Sequence, residues 1–196
     1  MPSPTFTIFI PTFNRASLLT RGLLSIEAQT FRDFEVVIVD DGSTDATESL
    51  VQEWQQRMPF PVTYFRQANQ GKYVAHNQGV KLAKGQFFLL LDSDDRLVPN
   101  ALERILHHWN SIPEANRPRY AGVEGLVQSM DGERLLTLPY PENPLDTHFL
   151  DTQYRRHIGG DKKHAVLTEI LRRYPYPIFP GERHVRDSIT WKRMAH

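Results

Sequence analysis

The amino-acid sequence predicts an α/β fold in which a doubly wound, mostly parallel sheet carries helices on both faces. Three observations support this prediction. Apolar β-rich runs alternate with segments of helical periodicity through the first half of the chain, as in parallel sheets with crossover helices. The run at 34–39 is apolar enough to be buried on both faces. Polar or acidic residues follow three of the runs directly, at the end where such sheets bind ligands.

The elements of the first half follow from apolar spacing and from capping, proline and glycine signals. Strands are predicted at 5–10, 34–39, 62–66 and 86–91, the first stopping at Pro11. Helices are predicted at 18–28, 45–56, 73–83 and 100–110. Asp45 with Glu48 resembles a capping box, Lys84-Gly85 is a C-terminal stop, and Pro99 opens the last of these helices.

The second half predicts a smaller lobe. Residues 120–138 favour a β-hairpin with a tight turn at Asp131-Gly132. A Pro-rich loop at 139–144 follows, then a strand at 164–167 and a short helix at 168–174. Pro175, Pro177, Pro180 and Gly181 indicate a rigid loop, and residues 187–195 are expected to be helical.

Length and composition indicate a single domain spanning 1–196. Basic and acidic residues both number 23, so charge offers no case for a nucleic-acid partner. The absence of cysteine excludes disulfides and thiolate chemistry. No apolar run approaches the roughly 20 residues of a membrane span, and no signal peptide is recognised. Cytoplasmic residence is the expectation, with peripheral contact at the inner face of the membrane left open.

Three strand ends carry the unusual residues. They are Pro11-Thr12-Phe13-Asn14, Asp40-Asp41-Gly42-Ser43 and Asp92-Ser93-Asp94-Asp95. Because parallel strands end at one edge of a sheet, all three segments are expected to face one crevice.

The acidic segment 92–95 indicates a cation site. Three carboxylates on one loop repel each other, and a hard divalent cation with oxygen ligands is the natural partner. Mn²⁺ or Mg²⁺ held there would bridge a diphosphate and stabilise its charge as a leaving group. The alternative is an Asp-rich turn with solvated carboxylates before Pro99. The apolar strand before it and the second Asp pair favour function.

The pair Asp40-Asp41 has two interpretations as well. Asp, Gly and Ser favour a turn followed by a helix N-cap. A second carboxylate exceeds what capping requires, and it would accept a hydrogen bond from a base N–H or a ribose hydroxyl.

Five ordered motifs resemble the family-two glycosyltransferases. They read IFIPTFNR at 8–15, VIVDDGSTD at 37–45, NQGK with AHNQG at 69–79, KG at 84–85 and LDSDD at 91–95. The resemblance covers about residues 4–110. It implies a GT-A fold with a nucleotide-sugar half, 1–110, and an acceptor half, 111–196. The implied reaction is an inverting, metal-assisted transfer from a nucleotide-diphosphate donor, a UDP-sugar by family habit, to a saccharide or glycolipid acceptor in bacterial cell-surface assembly.

The resemblance also implies roles for single residues. Asp94 is implied as the main metal ligand, with Asp92 on the metal or the ribose. The residues implied for nucleotide binding are Pro11, Thr12, Asn14, Asp40, Asp41, Lys72, Asp92 and Ser93. His76 stands where many members carry Arg.

The resemblance implies that the carboxylate of an acidic residue acts as the base that deprotonates the acceptor hydroxyl. Family members often place this acid in a Glu-Asp pair before a helix with Trp and Arg. Asp187, followed by Trp191 and Arg193, fits that relation, although Arg186 replaces the Glu. Glu182 is the reserve candidate. The alternative for Asp187 is a carboxylate that only interacts with a helix N-terminus.

Three other classes of protein share part of this motif pattern. A catalytically inactive nucleotide-sugar-binding module would share every binding motif. A haloacid-dehalogenase-type phosphatase would place its Asp-x-Asp near the N-terminus, followed by Thr or Val. A receiver-like domain would require about 120 residues. Neither of the last two accounts for Pro-Thr-Phe-Asn-Arg at 11–15.

Overall fold

The structure is a computed structural model, which describes residues 3–179 and 181–195. Its centre is one six-stranded sheet in the order β3-β2-β1-β4-β6-β5. The strands are β1 Phe6–Thr12, β2 Phe34–Asp40, β3 Val62–Arg66, β4 Phe87–Leu90, β5 Gly122–Leu126 and β6 Lys162–Leu167. The helices are α1 Ala16–Glu27, α2 Thr47–Arg57, α3 Lys72–Leu82, α4 Ala101–Ser111, α5 Thr168–Arg173 and α6 Ser188–Met194. None of the helices in these two ranges is long and apolar enough to cross a membrane.

The first four strands are parallel, as predicted. Alternate residues of β1 point to opposite faces: Phe6, Ile8 and Ile10 pack with α1, α2 and α4, whereas Phe9 packs with α3 and α5. All of β1 and β2 is buried. The predicted α/β class, with helices on both faces of the sheet, is confirmed.

Two local predictions in the first half were wrong. Pro11 does not end β1, because the backbone of Phe9 bonds to Leu91 on the β4 side and the nitrogen of Pro11 faces that side beyond the end of β4. Asp45 forms no capping box with Glu48. Its carboxylate instead accepts hydrogen bonds from the backbone N–H of Thr47 (3.0 Å) and of Ala16 (3.1 Å), and so joins the starts of α1 and α2.

The predicted hairpin is reduced to a short turn. Gly132 forms part of the turn (φ 80°), but the pairing of its two arms is limited to one bridge, between Gln128 and Leu135, with side-chain hydrogen bonds at Ser129 and Thr137 beside it. β5 pairs antiparallel with β6, which in turn pairs antiparallel with β4. The second half therefore extends the main sheet instead of forming a separate hairpin. Pro180, part of the predicted rigid loop, lies outside the described residues.

We expect Gly71→Ala to lower the free energy of unfolding by about 2–4 kcal/mol. Gly71 has φ 98°, and a Cβ there would overlap the backbone carbonyl of Arg183. Urea denaturation measures the change. Gly159→Ala is the matched control, because a Cβ at Gly159 meets nothing within 4 Å. Equal urea midpoints for the Gly71 variant and the wild type would show that the backbone of Arg183 does not approach the start of α3 this closely.

Candidate active site

The ends of β1, β2 and β4 lie along one edge of the sheet, so the three polar segments are neighbours there as predicted, but only the acidic segment lines the large cavity at that edge. Thr12 pairs with Asp40, and Phe9 pairs with Leu90. The first two segments are in direct contact: Asn14 donates its backbone N–H to Ser43 Oγ (2.8 Å), and its side-chain oxygen accepts from the backbone N–H of Thr44 (2.7 Å).

Asp40 and Asp41 both stabilise loops at this edge. Asp40 has no exposed surface and accepts hydrogen bonds from the backbone N–H of Ser43 (2.7 Å) and from Tyr64 Oη (2.6 Å). Burial and the Asp40 carboxylate raise the pKa of Tyr64, so its hydroxyl remains a donor. Asp41 accepts from Gln67 Nε2 and from the backbone N–H groups of Gln70 and Gly71 (2.8, 2.9 and 2.7 Å). Asp41 thereby holds the loop that leads into α3.

Pro11 and Thr12 form the buried end of β1. Thr12 is 3 % exposed, and its Oγ1 has no hydrogen-bond partner within the described residues. An unpaired buried hydroxyl is costly unless a ligand or water satisfies it. Thr12 is therefore the residue of this strand end with hydrogen-bonding capacity to spare.

Each carboxylate of the acidic loop that follows β4 lies against a basic side chain from another element. The nitrogen–oxygen distances are 2.5 Å for Lys72–Asp92, 3.4 Å for Arg15–Asp94 and 2.7 Å for Lys163–Asp95. The mutual repulsion of these carboxylates is therefore relieved by basic side chains of the protein itself. Asp94 is the most exposed of the three, at 52 % of its side chain. Ser93 is half-buried between Asp92 and Asp94.

Lys72 is charged at neutral pH. Burial lowers the pKa of Lys72, whereas the Asp92 carboxylate raises it, with smaller contributions from Asp187 and Asp94. The carboxylates outweigh burial, so the net pKa lies above the ordinary value. The Lys72 ammonium is a fixed positive charge at the start of α3.

A cavity of about 770 Å³ opens beside the acidic loop. Asp92 and Asp94 line one part of it, and Asp187 at the start of α6 lines another. The structure thus brings Asp187 to the acidic loop across more than ninety residues of sequence. Glu182 lines neither this cavity nor the smaller adjacent one, and its backbone carbonyl accepts a hydrogen bond from Tyr73 Oη (2.8 Å).

Asp187 is positioned through Tyr176 and Asn77. Tyr176 Oη lies 3.5 Å from Asp187 Oδ1, and burial together with that carboxylate raises the pKa of the tyrosine. Asn77 on α3 makes two hydrogen bonds to the backbone of Tyr176, each of 2.9 Å. Asn77 therefore ties α3 to the loop before α6, a role that spacing along the sequence does not reveal.

Sequence reasoning missed a second polar cluster in the cavity wall. Glu124 of β5 and His164 of β6 are register partners, with Oε2 and Nε2 2.6 Å apart. Burial raises the pKa of Glu124, but the hydrogen bond from His164 lowers it more, and the net pKa lies below the ordinary value. Tyr140 donates a second hydrogen bond to Glu124. The Nε2 of His164 is therefore engaged by Glu124.

His76 forms part of the cavity wall as a neutral side chain. It is 7 % exposed and packs edge-on against Phe9 and Tyr176. Its Nδ1 has no partner within the described residues. Burial, reinforced by the charge of Lys72, lowers its pKa to about 3.

We expect His76→Phe to flatten the dependence of stability on acidic pH. The unfolded chain binds this proton near pH 6.5 and the folded protein only near pH 3, so acid favours unfolding between those values. At pH 4.5 the penalty is about 2–3 kcal/mol. Denaturation at pH 7 and pH 4.5 measures it, with His107→Phe, at an exposed position of α4, as control. Parallel losses for wild type and His76→Phe would contradict the neutral, buried histidine.

The acidic loop suits a divalent cation shared with a ligand. Among residues 3–179 and 181–195, no three His, Asp or Glu side chains converge to hold a metal by themselves. Mg²⁺ and Mn²⁺ take oxygen ligands, and Mg²⁺ is often held by one or two carboxylates together with substrate phosphates. Asp94 and Asp92 fit that pattern.

The parallel sheet, the acidic loop and the cavity at its strand ends define a glycosyltransferase-type α/β domain of the GT-A class. A family model described as "Glycosyl transferase family 2" matches residues 7–162. Because this match spans most of the chain, the chain belongs to glycosyl transferase family 2, and the resemblance drawn from its motifs is confirmed.

A curated relative agrees with this assignment, and solved structures share the fold. The chain is 38 % identical over 109 residues to the GalNAc(5)-diNAcBac-PP-undecaprenol beta-1,3-glucosyltransferase of Campylobacter jejuni. The matched region covers 55 % of this chain and 35 % of that protein. The S. aureus TarS structure in complex with UDP superposes with a TM-score of 0.70 at 22 % identity, covering 97 % of this chain and 54 % of the other. The mannosyltransferase PcManGT from Pyrobaculum calidifontis, in complex with GDP-Man and Mn²⁺, gives 0.66 at 22 %, covering 98 % and 52 %. The chain thus spans about a third to just over half of these proteins.

Proposed function

We propose that this chain transfers a sugar from a nucleotide-diphosphate donor, a UDP-sugar, to an acceptor hydroxyl with inversion at the anomeric carbon. The observation that supports this most directly is the shared cavity, which holds the acidic loop and the carboxylate of Asp187. In the proposal, residues 1–110 hold the donor and residues 111–196 the acceptor.

The donor half supplies contacts along the strand ends. The base and ribose lie against Thr12, which has an unpaired hydroxyl, and against Asn14, with Pro11 beside them. Asp41 accepts a hydrogen bond from the base. Asp40 stabilises the adjoining loop from its buried position. Lys72 and Ser93 lie close to the diphosphate. Asp94 and Asp92 would hold Mn²⁺ or Mg²⁺, which supplies charge stabilisation to the leaving diphosphate.

Asp187 is the proposed general base. The acceptor oxygen bonds to the anomeric carbon, the carbon–oxygen bond to the diphosphate breaks with its electron pair going to the phosphate oxygen, and the hydroxyl proton moves to Asp187. Tyr176 orients that carboxylate. Glu182 remains the reserve candidate, with the weaker support because it does not line the cavity.

The proposed donor and acceptor classes draw on the relatives. TarS has been crystallised with UDP and PcManGT with GDP-Man, so the base is proposed as uracil with guanine as the competitor. The Campylobacter relative is named for an undecaprenol-linked acceptor. We therefore propose a saccharide or glycolipid acceptor, with transient contact at a membrane face.

Calorimetric titration with UDP-, GDP- and dTDP-sugars, each with and without Mn²⁺, tests the proposal. We expect one UDP-sugar to bind, and to bind more tightly with Mn²⁺. Release of free UDP in the presence of an acceptor then separates an enzyme from an inactive binding module. If none of the three nucleotide classes binds, the proposed function is wrong.

A further inference from the structure

Lys163 is the basic side chain that contacts two carboxylates of the acidic loop, and no sequence pattern connects it with that loop. Its Nζ lies 2.7 Å from Asp95 Oδ2 and 3.8 Å from Asp92 Oδ2. Its side chain is only 20 % exposed and lines the large cavity. The antiparallel pairing of β6 with β4 brings this lysine, sixty-eight positions from Asp95, to the loop.

Asp95 differs from its two acidic neighbours in the way it is engaged. Asp94 is half exposed and its contact with the exposed Arg15 is a long one, 3.4 Å, so a ligand can replace that contact at little cost. The Asp95 carboxylate makes a short contact with a lysine that is mostly shielded from water. A buried or half-buried ion pair breaks at much greater cost than an exposed one. Asp95 is therefore suited to hold Lys163 in place and Asp94 to receive a cation.

We propose that Lys163 contacts the diphosphate of the nucleotide sugar and that Asp95 is its positioning residue. This assignment rests on the proposed function. When the bond between the sugar and the diphosphate breaks, the bonding pair leaves on a phosphate oxygen, which then carries one more negative charge. An ammonium fixed beside Asp92 by Asp95 meets that charge without reorganisation, as preorganised catalytic charges do.

The competing explanation is that the pair merely stabilises the loop at 92–95. Binding of UDP and of uridine by the same variants distinguishes the two, because only UDP has the diphosphate. A contact with the diphosphate changes the affinity for UDP alone, whereas a deformed loop weakens both ligands.

The experiment compares wild type, Lys163→Gln, Asp95→Asn and the double variant in the presence of Mn²⁺, by calorimetry for UDP and NMR titration for uridine. We expect Lys163→Gln to weaken UDP about tenfold or more, the size of one charge-assisted hydrogen bond, and to leave uridine unchanged. Asp95→Asn weakens UDP less, and the double variant matches Lys163→Gln because the two residues act as a unit. Lys81→Gln, at an exposed lysine near the end of α3, controls for the loss of one positive charge.

Three results would overturn the assignment. Equal weakening of UDP and uridine would give the pair a structural role only. Unchanged UDP affinity in Lys163→Gln would show that the lysine does not reach the diphosphate. A wild-type protein that binds neither UDP nor uridine would overturn the proposed function, and this assignment with it. Measurements on the wild type alone would reveal that outcome. Thermal unfolding of each variant verifies that it is folded.

Discussion

Asp94→Asn is expected to lower kcat/KM for the nucleotide sugar by roughly 10²–10³-fold and to abolish the effect of Mn²⁺ on nucleotide binding. The amide keeps the shape of the side chain but loses the negative charge that a hard cation requires. Because Asp94 is half exposed and makes only a 3.4 Å contact with Arg15, the free energy of unfolding should change by less than about 0.5 kcal/mol.

Initial rates measured against Mn²⁺ concentration test this, together with calorimetry of UDP binding. Glu103→Gln removes one exposed negative charge from the first turn of α4 and is the charge-matched control. A variant that retains metal-dependent binding would place the cation elsewhere and leave Asp94 with only its contact to Arg15.

Asp187→Asn is expected to lower kcat by about 10²–10⁴-fold, the usual contribution of a general base. The amide cannot accept the acceptor proton, but it has the size of the carboxylate and preserves an oxygen near Tyr176. Affinity for UDP should therefore stay within about twofold of wild type, since Asp187 is proposed to contact the acceptor and not the nucleotide.

Single-turnover rates and UDP titrations separate these two quantities. Glu182→Gln is the matched control, and it should retain its rate because Glu182 does not line the cavity. A normal rate in Asp187→Asn, combined with a slow Glu182→Gln, would move the base to the reserve position and show that the loop at 181–187 closes differently around the substrate.

The donor side of the site was predictable because its chemistry is local in sequence. The apolar runs specify buried strands, and the polar residues follow them within four positions, so parallel pairing alone collects Thr12, Asp41 and Asp94 at one edge. Asp187 was identified through the resemblance, but its placement in the same cavity as Asp94 depends on the tertiary fold.

Other contacts had no local signal. Whether Glu124 meets His164 depends on the register of β5 against β6, since a shift of one residue would send either side chain to the other face. The predicted hairpin is reduced to a short turn because β5 pairs along its whole length with β6, whereas the return arm pairs only at the bridge between Gln128 and Leu135. The contact between Lys163 and Asp95 has no signal in the sequence either, because no spacing rule connects two residues so far apart in the chain.

The sequence by itself determined the α/β class, the succession of the first four strands and helices along the chain, the family, and the position of the acidic loop directly after β4. These follow from hydrophobic periodicity and from motifs whose residues lie within a few positions of each other. The tertiary structure decided which cations neutralise that loop, which acid shares its cavity, and which carboxylates stabilise loops. Those outcomes depend on strand register and on packing between residues distant in the chain, which local sequence patterns do not encode.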